Sequence, residues 1–183
     1  MTVLTAPGGR IDEALEKTPI RVAVLTVSDT RDEESDTSGH ILAGRVTDAG
    51  HILVAKTLVK DDIAAIRAQV KAWTTAGVVD AIVTTGGTGL TGRDVTPEAL
   101  QPLFDKVIDG FSVIFHLVSY QMIGLSTLQS RACAGVIDGV VVFCLPGSNG
   151  AVRDGWDKVI AAQLDARHKP CNMVEIMPRL LEK

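Results

Sequence analysis

The sequence predicts an α/β layer fold on a mainly parallel sheet, with one antiparallel strand. Three observations predict it. Near-continuous apolar runs such as Val22-Ala23-Val24-Leu25-Thr26-Val27 suit strands buried on both faces, as parallel strands are. Stretches with apolar residues three and four apart alternate with these runs, the rhythm of strand–helix–strand units. Late in the chain two apolar runs are parted only by Asp138-Gly139, a hairpin signal that makes one strand antiparallel.

Residues 1–18 read as an extension and 19–183 as one domain. Ala6-Pro7-Gly8-Gly9 is loop chemistry, and Ile11–Lys17 is expected to form one or two helical turns. The Val22–Val27 strand follows, then a polar loop over Ser28–Asp36. Ser38–Ala49 reads as a helix that Gly50 stops. Ile52–Val59 is β-branched and reads as the second strand. Asp61 or Asp62 caps the next helix, whose Ile63, Ile66, Val70 and Trp73 form one stripe and which ends at Gly77. Asp80–Thr85 is the third strand and runs into Gly86-Gly87-Thr88-Gly89. Thr96-Pro97-Glu98 opens a helix, with Thr96 as cap, Pro97 first in the helix and Glu98 at the positive end of its dipole. Phe111–Ile123 is helical, Val136–Leu145 is the hairpin, Pro146–Gly150 a loop and Ala151–Leu164 a helix. From Asp165 the chain reads as irregular, and Trp73 and Met122 read as core.

Composition narrows the function. At roughly 150 residues per domain, 183 residues make one domain with a tail. Hydrophobic residues are 46% and charged ones 22%, which excludes a disordered chain. The net charge is −4 and aromatics are only 4%, so the basic footprint and stacking surface of a nucleic-acid binder are both missing. No apolar run nears the roughly 18 residues of a membrane span, and no signal-peptide core precedes the first strand. Neither nucleic acid nor membrane is therefore an expected partner. Cys133, Cys144 and Cys171 fit no zinc or redox spacing and read as reduced thiols of a cytoplasmic protein.

The glycine surplus points to a site. Of 17 glycines, four fall within Gly86–Gly92. Glycines after a strand let backbone N–H groups face an anion without a Cβ in the way. Thr88 adds a hydroxyl, and a helix start follows. Gly86, Gly87, Thr88 and Gly89 thus form a phosphate cradle in physical terms. It is neither a Walker loop nor the G-x-G-x-x-G of dinucleotide folds. Asp94 lies in the same loop, where a carboxylate repels phosphates unless it holds Mg²⁺ or a proton. Asp61 follows the second strand and belongs at the same sheet edge if the strands are parallel. Such a pair suits a hydrated Mg²⁺ shared with nucleotide phosphates. Asp61 equally suits a plain helix cap, and Asp29 has the same ambiguity. Ser126–Arg131 is a hydroxyl-rich loop with one arginine, suited to a phosphate or an oxygen-rich ring, or to a surface ion pair through Arg131. Ser28-Asp29, the loop after Thr85 and Pro146-Gly147 converge beyond the C-terminal strand ends, where such sheets bind ligands.

Thr85-Gly86-Gly87-Thr88-Gly89, Arg93-Asp94-Val95-Thr96-Pro97-Glu98-Ala99 and Leu145-Pro146-Gly147 together resemble the molybdenum cofactor biosynthesis family. Leu25–Asp29, Asp36-Thr37-Ser38-Gly39, Ser126–Arg131, Gln163–Arg167 and Pro170-Cys171-Asn172 make the likeness strongest to its B branch. The resemblance spans about residues 20–175. It implies a three-layer α/β sandwich with helices on both faces of the sheet, assembled as a trimer or hexamer. It implies Mg-ATP-dependent adenylylation of the terminal phosphate of molybdopterin, releasing pyrophosphate, before molybdate insertion. By the same resemblance Asp61 and Asp94 hold Mg²⁺ and serve catalysis, and Gly86, Gly87, Thr88 and Gly89 take the nucleotide phosphates. Ser28, Asp29, Ser130, Arg131, Pro146, Gly147 and Ser148 form the substrate region. The implied partners are molybdopterin, ATP, further copies of the chain and a molybdate-insertion enzyme. Many active members carry Pro-Gly-Asn-Pro where this chain reads Pro146-Gly147-Ser148-Asn149. The alternatives are a non-catalytic molybdopterin- or nucleotide-binding paralogue, a scaffold, and a nicotinamide-dependent oxidoreductase, against which the missing G-x-G-x-x-G counts.

Overall fold

Strand β2 (Arg21–Val27) sets the layers of the molecule. Val22 and Val24 face one side and join a core with Leu42, Val46, Phe115 and Trp156. Ala23, Leu25 and Val27 face the other side and join Ile66, Val70 and Trp73. Both sets are buried, which is why the strand reads as an unbroken apolar run. The computed structural model describes residues 9–182, and over them the chain is the expected three-layer α/β sandwich.

The six-stranded sheet runs in the order β3 (Ile52–Val59), β2, β4 (Ala81–Thr85), β7 (Val140–Leu145), β6 (Cys133–Ile137), β5 (Lys106–Val107). Parallel pairing joins β3, β2, β4 and β7. Strand β6 is antiparallel to both β7 and β5, so it alone runs against the rest. Helices α1 (Thr37–Asp48) and α4 (Asp109–Ile123) cover one face. They share it with α5 (Asn149–Gly155), which continues through a π turn (Trp156–Ile160) into α6 (Ala161–Gln163). Helices α2 (Ile63–Ala76) and α3 (Thr96–Leu100) cover the other face. From β2 the chain crosses to β3 on one side and returns to β4 on the other. That reversal opens a crevice at the C-terminal ends of β2 and β4.

Several local readings hold for visible reasons. Asp138 and Gly139 have φ of 50° and 80°, the paired positive values of a tight hairpin turn. Asp62, not Asp61, caps α2: its carboxylate accepts from the Ala65 N–H at 2.8 Å. Cys133, Cys144 and Cys171 are all free thiols.

Others are corrected. The helical turns expected at Ile11–Lys17 are absent; β1 (Arg10–Ile11) instead pairs antiparallel with β8 (His168–Lys169). A long-range partner outweighed weak local helix propensity. The rest of the expected Ala6–Gly9 loop, before Gly9, lies outside the described residues. The C-terminal stretch is also more ordered than expected, with a short helix α7 (Met173–Ile176). Thr96 does not cap α3: Val95 holds the cap position and Thr96 is the first helical residue. Met122 is exposed rather than core. At the C-terminal end of α4 its sulfur lies 3.0 Å from Lys158 Nζ, while Val113, Leu117 and Tyr120 form an exposed apolar stripe opposite the buried Phe111, Phe115 and Ser119. With the 3₁₀ turn that follows, Asp109–Gln129 is long and apolar enough to cross a membrane by length and composition alone. No such stretch was expected from the sequence.

Candidate functional site

Four parallel strands deliver the site. A cleft of about 530 Å³ opens beyond their C-terminal ends. Ser28 follows β2, Asp61 follows β3, Gly86–Gly89 follow β4, and Pro146–Ser148 follow β7; all line this cleft.

The glycine loop is held from behind. The Gly86 carbonyl accepts from Thr96 Oγ1 at 2.9 Å and the Gly87 carbonyl from the Thr96 N–H at 2.9 Å. The Thr88 carbonyl accepts from the Arg131 N–H at 2.9 Å and the Gly89 carbonyl from Arg131 Nε at 2.8 Å. In a trans peptide the C=O and the following N–H point opposite ways. Tying back four carbonyls in a row therefore turns the intervening N–H groups of Gly87, Thr88 and Gly89 toward the cleft. Glycine is required where the loop is tightest. At Gly86, φ is +102° and an added Cβ would lie 2.1 Å from the Val27 carbonyl oxygen. At Gly147 an added Cβ would come within 3.2 Å of Gly86 Cα, so the β4 and β7 loops touch backbone to backbone.

The two aspartates flank this loop. A Cβ on Gly87 would lie 3.0 Å from Asp61 Oδ1, and one on Gly89 would lie 2.8 Å from Asp94 Oδ2. Their environments differ. Burial pushes the Asp61 carboxyl up, and the nearby Asp29 and Asp94 charges add to that. Burial also acts on Asp94, but hydrogen bonds from the Thr91 hydroxyl and N–H outweigh it and hold that carboxyl down. Among the described residues no group of three or more His, Cys, Asp or Glu forms a metal cage. Two carboxylates beside a phosphate cradle are instead the donor set that suits Mg²⁺, which completes its shell with water and ligand phosphates.

The remaining residues of the expected substrate region divide. Ser28, Ser130, Pro146, Gly147 and Ser148 line the cleft. Asp29 and Arg131 do not. Asp29 accepts the Asp61 N–H at 3.2 Å and so sets the start of that loop. Arg131 stands behind the glycine loop, where it also donates to the Asp94 carbonyl at 2.8 Å and pairs with Glu98. Neither half of the sequence alternative for Arg131 is met in full: it is an ion pair, but one that braces the site. Thr96 and Arg31 are residues that the sequence reading missed. Thr96 had a competing explanation as a cap, and Arg31 was one charge in a charged loop.

The chain has clear relatives among known proteins. A family model described as a probable molybdopterin binding domain matches residues 23–166. The molybdenum cofactor biosynthesis protein B of Escherichia coli K12 is 53% identical over 154 residues, 84% of this chain and 91% of that protein. The chain belongs to the molybdenum cofactor biosynthesis family. Its member from Bacillus subtilis, also a protein B, is 44% identical over 146 residues, 79% of this chain and 86% of that one. A crystal structure of a molybdenum cofactor biosynthesis protein B superposes with a TM-score of 0.82 at 39% identity, covering 92% of this chain and all of the other. A tungsten cofactor synthesizing protein from Pyrococcus furiosus gives 0.73 at 34% identity, covering 90% and 98%. Family membership gives the chain a role in molybdenum cofactor biosynthesis and confirms the fold.

Proposed function

We propose that the cleft adenylylates the terminal phosphate of molybdopterin with Mg-ATP. The observation that carries this reading is the approach of Asp61 and Asp94, from two different strand ends, to the backbone of one phosphate cradle. A magnesium ion held there by the two carboxylates would offset the charge of the triphosphate. The N–H groups of Gly87 and Thr88 bind phosphate oxygens while that of Gly89 faces Asp94, and Arg131 and Thr96 keep the loop aimed. A phosphate oxygen of molybdopterin forms the new bond to the α-phosphorus of ATP. The bond from that phosphorus to the bridging oxygen breaks, and pyrophosphate leaves. The protein forms no covalent intermediate, because positioning and electrostatics suffice for such a transfer.

The chain acts as an oligomer in the cytoplasm on this reading, its copies joined through the exposed apolar stripe of α4. The adenylylated product passes to an enzyme that inserts molybdate. The test is single-turnover incubation with molybdopterin and Mg-ATP, read by product mass and pyrophosphate. Asp61→Asn and Asp94→Asn each lower the rate by about 100-fold, the scale of one electrostatic contact to a transition state. Wild-type rates in both variants would overturn the assignment, and ligand binding without pyrophosphate would make the chain a non-catalytic paralogue.

A further inference from the structure

The cleft carries both signs of charge. Asp61 and Asp94 stand with the β3 and β4 loops. Arg31 reaches in from the β2 loop and meets the β7 loop at Gly147. It is the only cationic side chain among the described residues that line the cleft. Of the nearby cations outside the lining, Lys60 Nζ donates to the Asp29 carbonyl at 2.7 Å, Arg131 serves the back of the glycine loop, and Arg93 lies toward Asp61.

We propose that Arg31 receives the phosphate monoester of the acceptor substrate. This rests on the adenylyl-transfer reading. The guanidinium is fixed but not used up. One terminal nitrogen donates to Ser38 Oγ and the other to the Gly147 carbonyl at 2.9 Å. A guanidinium carries five N–H groups in a planar fork, so donors remain for a bidentate grip on phosphate. Its charge is only partly offset. The buried carboxylate of Asp36 is 4.0 Å away and is shared with the closer Lys56. Thr26 Oγ1 donates to it at 2.8 Å, the Gly39 N–H at 2.9 Å, and Lys56 Nζ lies 3.1 Å off. Asp36 therefore anchors the arm that carries Arg31 while leaving the cation free to act. A phosphate monoester carries close to two negative charges at neutral pH. With two aspartates in the same cleft, it needs a cation of its own.

The probe is inorganic phosphate in EDTA, its binding followed by phosphorus NMR, beside a separate titration of Mg-ATP. Arg31→Gln weakens phosphate by about fivefold or more, as loss of a charge-assisted pair implies. It leaves Mg-ATP affinity within about twofold. Unchanged phosphate affinity in Arg31→Gln, no phosphate binding by the wild type, or a loss confined to Mg-ATP would each overturn the proposal; the last would give the arginine to the nucleotide. If Arg31→Gln does not fold, phenylglyoxal labelling of the wild type decides. Phosphate slows modification of Arg31 but not of the exposed Arg179; equal rates at Arg31 with and without phosphate refute the site. A chain that binds phosphate at Arg31 yet forms no adenylylated product keeps this inference and loses the reaction.

Discussion

Replacing Gly86 with alanine separates a glycine that the fold requires from one that merely sits nearby. Two costs meet at this position. The backbone φ of +102° is one that side-chain-bearing residues rarely adopt, at about 1–2 kcal/mol. The new Cβ would also lie 2.1 Å from the Val27 carbonyl oxygen, a backbone atom of the central strand that cannot swing aside. Relieving such overpacking costs a further ~1–3 kcal/mol. The sum is about 3 kcal/mol, which for a domain of this size lowers the melting temperature by about 6–12 °C. Gly92, six residues on, is the control: an added Cβ meets nothing within 4 Å and no positive φ is involved. Gly92→Ala is expected to be neutral, or stabilising by about 0.5 kcal/mol through the unfolded chain. The assay is thermal unfolding by circular dichroism at one fixed protein concentration, since self-association shifts the midpoint. A Gly86→Ala midpoint within about 2 °C of wild type, or an equal fall in Gly92→Ala, would refute the reasoning.

Two further outcomes follow from buried charge and exposed apolar surface. Burial pushes the Asp36 carboxyl up, but the hydrogen bonds from Thr26 and Gly39 and the Lys56 ammonium outweigh it and hold the carboxyl below its usual value. Its contribution is therefore complete above about pH 4 and is lost as pH falls through the folded-state value. Asp36→Asn costs about 3 kcal/mol at pH 7 in urea unfolding and progressively less toward pH 3; a gap constant across that range would contradict the sign. On α4, Leu117 is 41% exposed, so Leu117→Glu leaves the fold intact. It lowers the mass seen in sedimentation from oligomer to monomer, and an unchanged mass would remove the α4 stripe as an interface.

The layers were legible because burial on both faces leaves a direct mark on a strand, and β2, β4 and β7 carry it. The hairpin was legible because Asp138-Gly139 tolerates paired positive φ. The edge strand Lys106–Val107 and the pairing of Arg10–Ile11 with His168–Lys169 were not legible: two-residue strands have no periodicity, and only their partners define them. Within the site, Gly86–Gly89 and Asp94 are adjacent in sequence and were read together. Asp61 was ambiguous until Asp62 proved to be the cap and released it to the cleft.

The sequence by itself determined the fold class, the family and the glycine loop that lines the cleft, because each of these is written in local pattern or in contiguous motif. Only the tertiary structure decided which polar residues face the cleft and which brace the loop. Arg131, Thr96 and Asp29 turned out to act through other residues, and Arg31 turned out to face the cleft. Whether a side chain points into a cleft or behind it depends on chain segments 30 or more residues away, as Arg131 on Gly89 and Arg31 on Gly147 both show. No local pattern encodes that choice.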